Sequence, residues 1–126
     1  MTAAPVYVLI HPDGRAEWGT NKDVAEKALG PYGVGRAFLA DASLGLRISM
    51  SDCALLMREE FAENPFAVAV LAHVAGLDPA GAQETRGPVV LWGYDPRNDW
   101  DSTRPLTVAE QTVITQALAA AGCTTG

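Results

Sequence analysis

The chain has 126 residues, 48% apolar and 19% charged, with a net charge of −6, the balance of one soluble domain large enough to bury a core. No apolar run approaches the roughly 18–20 residues of a membrane span. The opening MTAAPVYVLIHPDG lacks a basic region ahead of its short apolar stretch, so a cytoplasmic protein without a signal peptide is expected. Nine basic residues, thinly scattered among fifteen acidic ones, argue against direct DNA or RNA binding, which needs Lys and Arg gathered on one face.

Taken in order, Val6 to Ile10 is β-branched and aromatic, and Pro12-Asp13-Gly14 follows as a turn. Arg15 to Trp18 then runs back, which predicts a first hairpin. Asn21 is a good N-cap for a short helix with Val24, Ala25, Ala28 and Leu29 on one face, stopped at Gly30-Pro31. A Gly-punctuated stretch leads to a strand at Arg36 to Ala40. Leu44, Leu46, Ile48 and Met50 then alternate with Gly45, Arg47 and Ser49, the period of a half-buried strand.

Cys53 to Met57 (CALLM) reads either as a second strand turning back at Ser51-Asp52 or as the start of a helix reaching Phe61. Asn64-Pro65 opens a helix, with Asn as cap and Pro where a missing N–H costs nothing. Phe66, Ala67, Val70, Leu71 and Val74 form its apolar stripe, and Gly76 ends it. Leu77 to Arg86 reads as a loop. Val89-Val90-Leu91-Trp92 is an unalternating apolar run, the mark of a strand covered on both faces.

Thr107 and Glu110 match a capping box, and the helix they open places Val113, Ile114, Ala117 and Leu118 on one face up to Gly122. Cys123 falls in a tail expected to fray. The sum is a single α+β domain over residues 1–126, about five strands in an antiparallel or mixed sheet packed with about three helices.

Chemistry is sparse. From Asp99, the carboxylates Asp99, Asp101 and Glu110 fall at positions one, three and twelve of a calcium loop. Arg104 and Pro105 nevertheless occupy positions six and seven, where a Gly and a coordinating carbonyl on a flexible loop are wanted. The bland alternative is a solvated loop in which Arg97 or Arg104 offsets the Asp charge. Trp92 is expected in the core. Trp100, between two Asp, is either a lid on the sheet edge or an anchor for a partner. His11 has Asp13 two residues on, as a base and its orienting group would, yet His11 to Gly14 is also an ordinary turn. His73 sits at the edge of its helix's stripe.

No GxSxG elbow, P-loop or Rossmann fingerprint is present. Cys53 and Cys123 are expected as reduced thiols outside any zinc cluster. No catalytic residue and no cofactor is assigned.

The second half, read as a unit, carries a resemblance. Asn64-Pro65-Phe66-Ala67-Val68-Ala69, a loop with Gln83 and Arg86, Gly87-Pro88-Val89-Val90-Leu91-Trp92-Gly93-Tyr94-Asp95, then Leu106-Thr107 with Gln111 resembles a family of small actinobacterial domains of unknown function. They are found on plasmids, integrated elements and phages. The resemblance spans about residues 46–118 and implies a hairpin before the Asn-Pro helix, which supports CALLM as a strand. Cys53-Ala54 stands where the family has Glu-Gly.

The expectation is a small acidic, non-catalytic interaction protein, an accessory or anti-defence factor of a mobile element acting on a host protein. Its partner-binding candidates are Tyr94, Asp95, Asp99, Trp100 and Asp101. The alternatives are a small-molecule or metal-binding domain, possibly enzymatic, built on the Asp95 to Asp101 loop, and a structural homo-oligomer.

Overall fold

The computed structural model describes residues 4–30, 34–38, 46–51, 53–76, 84–94 and 103–125, with Val34–Phe38 and Tyr94 described through their backbone. The first apolar run forms β1 (Tyr7–Ile10) and turns back into β2 (Arg15–Gly19), pairing Ile10 with Ala16 and Tyr7 with Gly19. Asp13 accepts the Arg15 N–H at 2.9 Å, closing the turn locally. Helix α1 (Lys22–Ala28) follows with Asn21 as N-cap. Ala25 and Leu29 are buried, but Val24 is exposed.

Strand β3 (Val34–Phe38) pairs antiparallel with β4 (Leu46–Ser51), and β4 pairs with β5 (Val89–Tyr94). Between β4 and β5 the Asn64-capped helix α2 (Pro65–Ala75) runs to a left-handed Gly76. After β5 come the two-residue β6 (Thr103–Arg104), helix α3 (Val108–Ala121) with its complete capping box, and β7 (Thr124–Thr125). The strand order is β3-β4-β5-β1-β2-β7, with β6 on β5. Every pairing is antiparallel except β2 with β7, so the sheet is mixed and the fold α+β.

Alternation along each strand sorts its side chains to two faces. One face carries Val8, Ile10, Leu46, Ile48, Val89 and Leu91, and α2 and α3 bury it with Ala67, Val70, Leu71, Val74, Ile114, Ala117 and Leu118. The other carries Tyr7, Leu9, Val90 and Trp92 against Ala25 and Leu29 of α1. β1 and β5 are therefore covered on both sides, as the unbroken run Val89 to Trp92 implies. Each fully buried large apolar side chain contributes about 1.5–3 kcal/mol of transfer free energy.

Three expectations are corrected. β4 is not half-buried: Arg47, Ser49 and Ser51, opposite its apolar face, are at most 3% exposed, because the sheet's second face is also covered there. Residues 53–56 form hydrogen-bonded turns, neither the strand nor the helix start that the sequence left open, and the hairpin partner of β4 is the preceding β3. The C-terminal tail is tied down, with Thr124 donating to the Gly14 carbonyl at 2.9 Å and Cys123 packing against the core. Among the described residues no helix is long and apolar enough to cross a membrane.

Candidate functional site

Of the residues singled out in the sequence, Asp95, Asp99, Trp100 and Asp101 lie outside the described residues. Tyr94 is the last residue of β5, its backbone opposite Thr103. Glu110 is described, and it is occupied. Its two oxygens accept from Arg104 at 2.7 and 2.8 Å, and one also accepts the Thr107 N–H at 2.9 Å. Burial pushes this carboxyl up, but the Arg104 bonds and the Thr107 N–H outweigh it and hold the group below the ordinary glutamate range. A carboxylate so engaged is a structural clamp between β6 and α3 rather than a calcium ligand. Among the described residues no group of three or more His, Cys, Asp or Glu is placed to hold a metal.

The histidines divide. His11 meets Glu17 across the hairpin at 3.1 Å, with Arg15 3.4 Å from the same ring nitrogen, rather than Asp13. The His11 hydrogen bond is the main reason that the Glu17 carboxyl lies below its ordinary range. His73 is exposed in the last turn of α2. Cys53 and Cys123 are free thiols, and burial pushes the Cys123 thiol up, away from nucleophilic character. Trp92 is in the core as expected, with the buried Arg47 guanidinium 5.6 Å from its ring centroid.

The feature that sequence reasoning missed lies after β4. Leu56 and Met57 both donate to the Cys53 carbonyl, at 3.0 and 2.8 Å, and Glu60 and Phe61 both donate to Met57. Two consecutive turns result. Ala54 and Phe61 point inward, at 0% and 8% exposure, while Leu56 is 85% exposed with Leu55 beside it at 36%. The spacing of Ala54, Met57 and Phe61 suits the helix reading and the apolar run suits a strand, whereas the fold closes two short turns instead.

These turns are held from behind. Arg86, only 11% exposed in its side chain, donates to the Phe61 carbonyl at 3.1 Å and to Glu84 and Glu63 at 3.0 and 3.2 Å. Arg58 grips both oxygens of Glu84. The Arg86 bond is the largest of the influences that hold the exposed Glu84 carboxyl below its usual range. Glu63 bridges Arg86, and Gly87 donates to Ala62 at 2.7 Å.

Next to this lattice stands Asn64, fully buried. Its amide donates to the Ile10 carbonyl at 3.0 Å and to the Gly87 carbonyl at 2.8 Å, while its side-chain oxygen accepts from Ala67. Thr85 donates its hydroxyl to the Asn64 carbonyl and accepts the Asn64 N–H. A hollow of about 400 Å³ opens along Leu56, Met57, Arg58, Glu59 and Glu60. A second, of about 280 Å³, lies at the start of α2 between Glu63, Pro65, Val68 and Glu84.

Met50 pairs with Val89, whereas Gly93 and Tyr94 pair with β6. The displayed turns after β4 and the strand ends flanking residues 95–102 therefore sit at opposite ends of β5. Compared with known proteins, the chain matches no family model, no curated protein and no solved structure.

Proposed function

We propose that this is a small non-catalytic interaction protein whose binding surface includes the turn at Leu55-Leu56. The observation that carries the reading is Leu56 itself, an 85% exposed apolar side chain on turns pinned from behind by Arg86. Leu55 and Leu56 are exposed side by side on an ordered support, where contact area is gained without first ordering the chain. The resemblance to small domains of plasmids, integrated elements and phages supports a cytoplasmic accessory or anti-defence role directed at a host protein.

The test is affinity capture with tagged protein from a lysate of the native host, run in parallel with Leu56→Asp. A stoichiometric protein captured by the wild type and lost with Leu56→Asp, at equal melting temperature, is the expected result. Capture that is indifferent to Leu56→Asp would overturn the assignment of this surface.

A further inference from the structure

We infer that Glu84 is an electrostatic latch on the turns that carry Leu55 and Leu56: when it is released, residues 53–62 open as one unit while α2 and the sheet stay folded. What opening does to binding rests on the interaction reading above; the latch itself does not. Glu84 is the joint partner of two arginines, and each of them holds a carbonyl of the turns. Arg58 donates its Nε–H to the Leu55 carbonyl at 3.2 Å and its two terminal nitrogens to Glu84 at 3.2 and 3.3 Å. Arg86 donates to the Phe61 carbonyl at 3.1 Å and to Glu84 at 3.0 Å, and it also holds Glu63. One carboxylate thus aims both guanidinium groups. They lie close enough that Arg86 also reaches the Arg58 carbonyl at 3.4 Å. Without the Glu84 charge the two cations lose the anion they share and repel across the same gap.

The apolar hold on the segment is small. Of residues 53–63, Ala54 and Phe61 are the buried ones, so opening uncovers little apolar surface, as in a unit of low local stability. The fastening is also graded along its length. At the inner end Asn64 and Thr85, both buried, exchange two hydrogen bonds, and Gly87 donates to Ala62. At the outer end Arg58 and Glu84 are exposed. A segment dry at one end and wet at the other opens from the wet end, with Asn64 as its hinge. Once open, the Leu55-Leu56 turn must be ordered again before a partner can use it, so the latch sets the affinity of that surface.

The experiment is native-state hydrogen exchange of the full chain, read by mass spectrometry, for the wild type, Glu84→Gln and Arg58→Gln. The reporting amides are those of Leu56, Met57, Glu60 and Phe61, which donate within the turns. Glu84→Gln keeps the shape of the side chain and removes its charge. It should speed exchange over residues 54–61 by about three- to tenfold and leave α2 and β5 unchanged. Arg58→Gln should act on the same amides. The combined variant should add little to the larger single effect, because both changes break one contact. Raising the salt from about 0.1 M to about 1 M should bring the wild type towards Glu84→Gln.

Three results would overturn the latch. They are exchange over residues 54–61 unmoved by Glu84→Gln; faster exchange spread equally over α2 and β5, which means a global loss of stability; or a ratio of wild type to variant that salt does not change. Exchange is read on the free chain and needs no partner. Should Leu56→Asp leave capture of a host protein unchanged while Glu84→Gln still frees the turns, the binding surface falls and the latch stands. Should Glu84→Gln leave exchange unmoved while Leu56→Asp abolishes capture, the latch falls and the interaction reading stands.

Discussion

The two long helices begin with the same kind of residue and in different kinds of place. Helix α3 starts at Thr107, whose hydroxyl accepts from Glu110 while the Glu110 carboxylate accepts from Thr107. Everything needed lies within four residues. Helix α2 starts at Asn64, which caps Ala67 in the same way but spends its amide hydrogens on carbonyls 54 and 23 residues away. The first cap is local and partly wet; the second joins β1, the approach to β5 and α2 at one buried side chain. A cap that also donates to distant backbone is a tertiary fastening, and losing it should cost far more than losing a cap.

Asn64→Asp separates the two roles most sharply. Aspartate caps a helix about as well as asparagine, but it cannot donate when ionised, and it would set a buried charge against the Ile10 and Gly87 carbonyls. A loss of about 3–5 kcal/mol is expected, read as a fall in urea midpoint at constant slope. If Asn64→Asp melts with the wild type, Asn64 is a cap and nothing more.

Next in size is Gly87→Ala. Gly87 has φ of 70°, and an added Cβ would stand 2.6 Å from the Phe61 ring, so strain at the carbonyl that Asn64 binds should cost about 2–3 kcal/mol in the same assay.

At α3 the effects should be smaller. Glu110→Gln keeps an acceptor for Thr107 but removes the charge that Arg104 grips, an expected loss of about 1–2 kcal/mol at neutral pH. The folded-state pKa of Glu110 is lowered, so the folded state binds its proton less readily than the unfolded one. The contribution is present above the ordinary glutamate value of about 4.3 and drains as pH falls through the lower folded value. The wild type and Glu110→Gln should therefore converge in stability on acidification, and a gap unchanged between neutral and strongly acid pH would refute the clamp. Thr107→Ala should cost least, about 1 kcal/mol by thermal melting.

The same contrast explains what was legible in the sequence. The hairpin, the capping box, the Asn-Pro start and the covered strand Val89 to Trp92 are written in neighbouring residues and appear where expected. The second job of Asn64 is not, because its acceptors become neighbours only after β1 and β5 pair. Arg47 reads as a solvent-facing residue by strict alternation, yet the register sets it opposite Trp92 on a covered face. Leu55 and Leu56 differ in the opposite direction, as apolar residues whose run left strand and helix open and which the fold displays on a turn. The acidic and aromatic candidates from Asp95 to Asp101 lie outside the described residues, and the surface proposed at Leu55-Leu56 falls on a run whose pattern alone does not say which side chains face water.

Strand order has a consequence for synthesis. β1 lies at the start of the chain but is completed on its inner edge by β5, roughly eighty residues later. At about 5–20 residues per second, the first hairpin waits roughly 4–16 s on the ribosome, still without its central neighbour. Through that interval Val8 and Ile10 on one side, and Tyr7 and Leu9 on the other, offer an unpaired apolar edge to whatever passes. The sheet's centre therefore closes only after α2 and β5 have left the exit tunnel.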